Sequence, residues 1–304
     1  MRKVSLIVGL SLLVVASTAR AQEVTAPHAG ESAAGGDSAA AAPAVAPEAA
    51  VFPVAATPAG YPNEYALRPL TLSAGTFQAT VPVVLNLSKN AVLKPVWVPL
   101  DLRYGVNDQL EVFVSHNYLG APAALGQGGV CLGGTSRGCE KFYNNINVGG
   151  QYSLLKSNGV ELSGLAALDV RRLSDPMYLA IDVGVGFKYV SAPISIKVAP
   201  QIGIGANKRS EGNKEVLSVP VQIAFQATPQ LAAFLDTGIF GSTDHFSDVY
   251  GVPVGIGASF LVQHGLDVGA EFMLRQALAG STVLSDMKGV NDRTLTVFAA
   301  YRTN

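Results

Sequence analysis

Only 14% of this 304-residue chain is Asp, Glu, Lys or Arg, against the ~25% usual for a globular protein. The few charges it has are spaced with care. Asp101 and Arg103, Glu111, Glu161, Asp169 and Arg171, Asp182 and Lys188, Lys197, Asp236, Asp267 and Glu271, and Arg275 sit among Gly, Ala, Ser, Asn and Gln, and within each segment their numbers differ by even steps. Acids and bases on one face can line a hydrated passage, where the ring of charge sets ion preference. The same residues can instead pair across neighbouring strands and fill a closed interior. Both readings stay open at this stage.

Catalysis by a nucleophile needs a base and an orienting group within reach. The candidates are Ser115 with His116, the run Ser242-Thr243-Asp244-His245, and His264. Ser115 and His116 are consecutive in a segment that reads as a strand, so they point to opposite faces. His245 has Asp244 and Ser247 as polar neighbours in a loop, and His264 falls in a two-residue turn. No catalytic residue is assigned, and the chain is not expected to be an enzyme. Without a phosphate-cradling loop, a dinucleotide fingerprint or a metal-ligand cluster, no cofactor and no metal site are expected. A net charge of −1 with no clustered Lys or Arg gives nucleic acid nothing to bind.

Cys131 and Cys139 lie in GQGGVCLGGTSRGCEKF, the longest segment without alternation. In an exported protein two such cysteines most simply form a disulfide that pins a loop; free or metal-bound thiols are the alternative.

The elements that carry these residues follow from periodicity. In Val252 to Leu274, Val252, Val254, Ile256, Ala258, Phe260 and Val262 form one apolar file, and Leu266, Val268, Ala270, Phe272 and Leu274 another. Between them stand Gly255, Gly257, Ser259 and Gln263, then Asp267, Gly269, Glu271 and Arg275. Side chains of a strand alternate faces, so this is a hairpin with one greasy face, turning at His264-Gly265. Each strand has about ten residues, enough to cross a bilayer core of ~30 Å at ~45° tilt. No internal run of about 18 apolar residues offers a membrane helix. Hydrophobicity is dispersed by alternation instead.

The pattern holds from Thr71 almost to the end and predicts twelve strands, at about 71–87, 95–105, 109–119, 143–155, 160–171, 177–190, 194–206, 216–228, 231–240, 251–263, 266–277 and 293–302. Links after even strands are short and rich in Asn, Asp, Gly and Pro; most links after odd strands are long. Short turns on one rim and long loops on the other are what a transmembrane barrel shows. In the outward files Tyr104, Tyr152, Tyr189, Phe225, Phe260 and Tyr301 recur near the short-turn end, the place of an aromatic girdle at the periplasmic boundary. Tyr118, Tyr143, Tyr178 and Tyr250 could form a looser ring at the other rim.

Met1-Arg2-Lys3, the apolar stretch Val4 to Val15 and Ala19-Arg20-Ala21 have the parts of a secretory signal peptide, so 1–21 is expected to be removed; a retained anchor helix is the alternative. Residues 22–68, dominated by Ala, Pro, Gly and Ser, have too few large apolar groups to offset the entropy of ordering. They read as a disordered periplasmic tail or linker, whether a plain solvated tail or a spacer that reaches a partner or the cell wall. The barrel is expected over 69–304.

The export signal, twelve alternating strands and hairpins such as YGVNDQLEVFV (Tyr104 to Val114) resemble the bacterial outer-membrane β-barrel superfamily, porin-like in kind, over about 71–304. Members usually end on an aromatic residue; here Arg302-Thr303-Asn304 follow Tyr301. The resemblance implies an all-β fold, a closed antiparallel transmembrane barrel with short periplasmic turns and longer extracellular loops. It places the chain in the cell outer membrane of a Gram-negative bacterium after Sec-type export, with outer-membrane lipid and the barrel assembly machinery as partners. The expected function is a pore for passive passage of small solutes or ions. The alternatives are a non-conducting barrel that anchors its tail or loops for a partner, and a membrane-embedded hydrolase, as some twelve-stranded barrels are. Oligomeric state and solute preference are not legible.

Overall fold

The computed structural model describes residues 61–89, 91–116, 128–134, 139, 141–173, 176–283 and 288–303; the expected signal peptide 1–21, residues 22–60 and Tyr118 lie outside them. The described residues form a closed antiparallel barrel of twelve staves. These are β1 (Phe77–Asn86), β2 (Val96–Val98, resuming as Asp101–Gly105), β3 (Leu110–Ser115), β4 (Ile146–Ser157), β5 (Val160–Arg172) and β6 (Tyr178–Ser191). Then come β7 (Ile194–Val198, resuming as Gln201–Gly205), β8 (Val216–Gln226), β9 (Leu231–Ser242), β10 (Gly251–Gln263), β11 (Leu266–Ala279) and β12 (Arg293–Arg302). Each pairs with its neighbour in sequence, and β1 closes the ring on β12 from Gln78↔Arg302 to Asn86↔Thr294. Closure leaves no sheet edge, which backbone in hydrocarbon requires. The 13 residues of β5 rise ~43 Å, which at ~45° tilt crosses ~30 Å.

Alternation decides which face meets which medium. Ile256 and Phe260 are 64% and 49% exposed on the outside, while Ser259 and Asp267, pointing inward, are 3% and 1% exposed. The apolar files thus surround the barrel instead of filling a dry interior. Proline interrupts the ladder without opening it: Pro200 divides β7, yet its carbonyl accepts from Val185 N at 2.9 Å, and Ala199 N donates to Pro220 O at 3.0 Å.

Three expectations need correction. The first strand begins at Phe77 and not at Thr71. The third strand, expected over 109–119, ends at Ser115, and the ladder above it is continued by the long loop, whose Gly129–Leu132 pairs with Val96–Val98 and with Tyr143–Asn144. Cys131 and Cys139 in that loop are joined in a disulfide, Cα atoms 5.7 Å apart, and pack with Val84 and Trp97. The third correction concerns 22–68: its last part, Tyr61 to Arg68, is not a solvated tail. Together with Pro69 to Leu72 it is seated inside the barrel, with Ala66, Leu70, Thr71 and Leu72 buried. Compositional averaging over the Ala/Pro-rich stretch concealed two aromatic groups, Tyr61 and Tyr65, that the lumen shelters.

Candidate functional site in the barrel lumen

Every inward charge named above projects from a stave: Asp101 and Arg103 from β2, Glu111 from β3, Glu161, Asp169 and Arg171 from β5, Asp182 and Lys188 from β6, Lys197 from β7, Asp236 from β9, and Asp267, Glu271 and Arg275 from β11. The structure sorts them into groups. Arg103 grips Asp101 with two bonds (Nε to Oδ1 2.7 Å, Nη2 to Oδ2 3.1 Å) and donates to Glu111 at 3.0 Å. Arg171 lies 3.4 Å from Asp169 and 3.8 Å from Asp182, and the Asn147 amide donates to Asp182 at 2.9 Å. Arg275 pairs with Asp292, which stands opposite it just before β12, where the Asp292 carbonyl also accepts from Arg275 N at 3.0 Å.

Others hold the segment 61–72, which crosses the barrel at its short-turn end and touches one stave after another. Asn63 meets the turn at His264 (2.9 Å). The Tyr65 ring stacks on Phe234, centroids 5.6 Å apart, and its hydroxyl donates to Gln222 at 3.2 Å. Ala66 N donates to the Gln226 side chain at 3.0 Å. Arg68 pairs with Asp267 at 2.8 Å, and the same carboxylate takes Arg302 at 2.5 Å. Lys188 donates to the Arg68 carbonyl. Leu70 N donates to Glu161 at 2.6 Å and Leu72 N to Glu111 at 2.9 Å. A segment with no strand partner must find acceptors for its buried N–H groups, and here wall carboxylates and glutamines supply them. Four of the sequence-assigned charges, Glu111, Glu161, Lys188 and Asp267, therefore bind the segment as well as lining the wall.

Above this plug remains a cavity of about 430 Å³, room for on the order of a dozen waters at ~30 Å³ each. Arg103, Lys188, Lys197, Asp101, Asp236 and Glu271 face it, with Phe113, Phe234 and Phe298, and the plug's Tyr61, Tyr65 and Arg68. At the long-loop end the segment 206–215 folds back on the wall. Asn213, itself buried, donates to Leu179 O at 2.7 Å, and Arg171 reaches Lys214 O at 2.7 Å. Gly205 permits this close approach, since a Cβ there would lie 1.9 Å from Asn213 O. Exposed ion pairs Arg209–Glu215 and Lys214–Asp244 tie the same loop together. Their hydrogen bonds hold Glu215 and Asp244 below ordinary carboxylate values.

On the outside Tyr104, Tyr152, Tyr189, Phe225, Phe260 and Tyr301 are each 44–50% exposed, at the short-turn ends of their staves. Tyr143 instead turns its hydroxyl to His116 Nε2, 2.6 Å away, and Tyr178 donates to Glu211 O at 2.7 Å. His116 is thus engaged away from Ser115, and the carboxylate of Asp244 belongs to Lys214. Among the described residues no group of three or more His, Cys, Asp or Glu could hold a metal ion. Arg68, Arg302 and Gln222 join the site without having been expected there. Alternation does announce Arg302, because the inward file of β12 runs Thr294, Thr296, Phe298, Ala300, Arg302; Arg68 and its neighbours carry no periodicity that would disclose them.

By sequence the chain matches no protein-family model and none of the curated proteins. Solved structures do match in three dimensions. The NanC porin superposes with a TM-score of 0.54 at 6% identity, over 74% of this chain and 100% of that one. The fold is that of the porin-like outer-membrane barrels. A second porin-like barrel, the KdgM porin in complex with disordered oligogalacturonate, superposes with a TM-score of 0.50 at 7% identity, over 75% of this chain and 99% of that one. At such identities what is shared is the porin-like wall, and no residue of the lumen carries over.

Proposed function

We propose that this chain is an outer-membrane pore for small polar solutes or ions, reaching its membrane by Sec-type export of the leader 1–21 and inserted with the help of the barrel assembly machinery. The observation that supports this reading most is the wall: acids and bases of several staves face a cavity of about 430 Å³, while the outside is apolar. Charged groups are retained inside a membrane protein where they face water or each other. Catalysis has no support from the arrangement of Ser115, His116 and His245, so the barrel is read as a passage. Lipid meets the girdle from Tyr104 to Tyr301 on the short-turn, periplasmic rim.

The plug 61–72 favours a second reading, a barrel that anchors and does not conduct. Planar-bilayer recording with the full chain separates the two, with heat-modifiable gel mobility confirming the folded barrel. Discrete current steps are expected. A silent bilayer from material that shows the folded mobility shift would sink the pore and leave the anchor.

A further inference from the structure

The cations and carboxylates that border the cavity do not cancel among themselves. Arg103 is held by Asp101 and Glu111, Arg68 and Arg302 by Asp267, and Lys188 by the Arg68 carbonyl. Lys197, Asp236 and Glu271 are left over: among the described residues none of the three forms an ion pair. Glu271 is 9% exposed, and its carboxyl lies within hydrogen-bond reach of Asp236. Two carboxyls this close repel when both are charged, so the pair keeps one negative charge with no cation beside it.

Register fixes where these three groups stand. Lys197 pairs with Gln222 across β7 and β8, and Gln222 with Asp236 across β8 and β9. Asp236 pairs in turn with Gly255 on β10. Glu271 rises from β11 and lays Oε1 over that same glycine, 2.6 Å from where a Cβ would be. Asp236 and Glu271 therefore converge over β10 because Gly255 offers no side chain between them. Gln222, donating to Asp236 at 3.0 Å and accepting from Tyr65, separates this carboxyl pair from the Lys197 ammonium. The plug forms the floor beneath. Even with one carboxyl protonated, the pair presents a negative charge opposite a positive one.

We infer that Lys197, Asp236 and Glu271 form a binding site for a short zwitterion, its carboxylate on Lys197 and its ammonium on the Asp236–Glu271 pair. The backbones of Lys197 and Asp236 stand two strand spacings apart along the wall, about 9.6 Å, and both side chains face the same cavity. A ligand short enough to touch both is on the scale of a small amino acid. A simple anion would meet the carboxyl pair and a simple cation the lysine, so each would match half of the site and be repelled by the rest. The inference rests on the proposed pore only for the route by which the ligand arrives.

The test uses the full chain refolded in detergent and calorimetric titration with β-alanine, compared with acetate, ethylammonium and glycerol. β-Alanine should bind at least about tenfold more tightly than any of the three. Lys197→Met, and separately the pair Asp236→Asn with Glu271→Gln, should each weaken it by about tenfold or more. Equal binding of a singly charged or neutral probe overturns the site with the unaltered protein alone, so a variant that fails to fold does not rescue it. Unchanged affinity in the folded variants overturns it too. Swelling of liposomes in erythritol, an uncharged probe, reports the pore separately: no swelling with intact β-alanine binding defeats the passage and keeps the site, and the reverse pattern defeats the site alone.

Discussion

Arg68, carried on the segment that crosses the lumen, places its Nη2 2.8 Å from Asp267 Oδ1 on β11, while Arg302 of the last stave holds the other oxygen of the same carboxylate at 2.5 Å. One acid thus joins the plug to the two strands that precede closure. Removing one partner of a buried pair costs more than the pair contributes, because the other is left uncompensated. In Arg68→Ala the carboxylate keeps Arg302, so the loss should be about 1–3 kcal/mol of plug docking. In Asp267→Asn two guanidinium groups face each other with no carboxylate, and release should go further. Limited proteolysis within 61–72 of the folded barrel should quicken in the order unaltered, Arg68→Ala, Asp267→Asn. Equal resistance of all three would show that Asp267 does not hold the plug.

The loop 206–215 carries a pH dependence of its own. Arg209 donates to Glu215 and Lys214 to Asp244, and both carboxyls are held below their ordinary values of 4.5 and 3.8. A depressed folded value means that the ordered loop binds protons less readily than the released one. Its contribution is complete above the ordinary values and fades as the pH falls through the lowered ones. Both pairs are exposed, so salt should weaken them as well, with a Debye length of about 3 Å at 1 M. Amide exchange of residues 207–215 is expected to accelerate, beyond its intrinsic pH trend, only below about pH 4.5, and at neutral pH on adding salt. Protection that persists through both changes would assign the loop's order to Asn213 and Arg171 alone.

The staves were legible because the outside and the lumen of the barrel impose opposite demands on alternate residues, and that demand is written at every second position along most of each stave. What the alternation does not encode is who pairs with whom inside. Glu111 and Glu161 read as wall charges, and their partners are backbone N–H groups of Leu72 and Leu70, which no side-chain pattern announces. The plug was hidden more thoroughly. Tyr61 to Leu72 has no strand neighbour, and its stability comes from acceptors contributed by β3, β5, β8 and β11, residues separated from it by as many as 199 positions. Likewise Gly255 reads as one of several small residues, and only the register shows that it makes room for Glu271.

The surest test of which face meets lipid is a charge placed on either side of one wall. Ile256 sits near the middle of β10 and is 64% exposed on the outside; Thr80 of β1 faces the cavity. Arginine on the lipid face at mid-bilayer costs about 2–4 kcal/mol, whereas the polar interior tolerates charge. Ile256→Arg should therefore lower the stability of the barrel in lipid vesicles by about that amount in a reversible denaturant titration, and Thr80→Arg by less than about 1 kcal/mol. In detergent micelles, whose surface adapts to a protruding guanidinium, the difference between the two should shrink. A lipid-independent loss of the same size for both variants would mean that Ile256 packs against protein and not against hydrocarbon, and the transmembrane assignment of the outer face would fall with it.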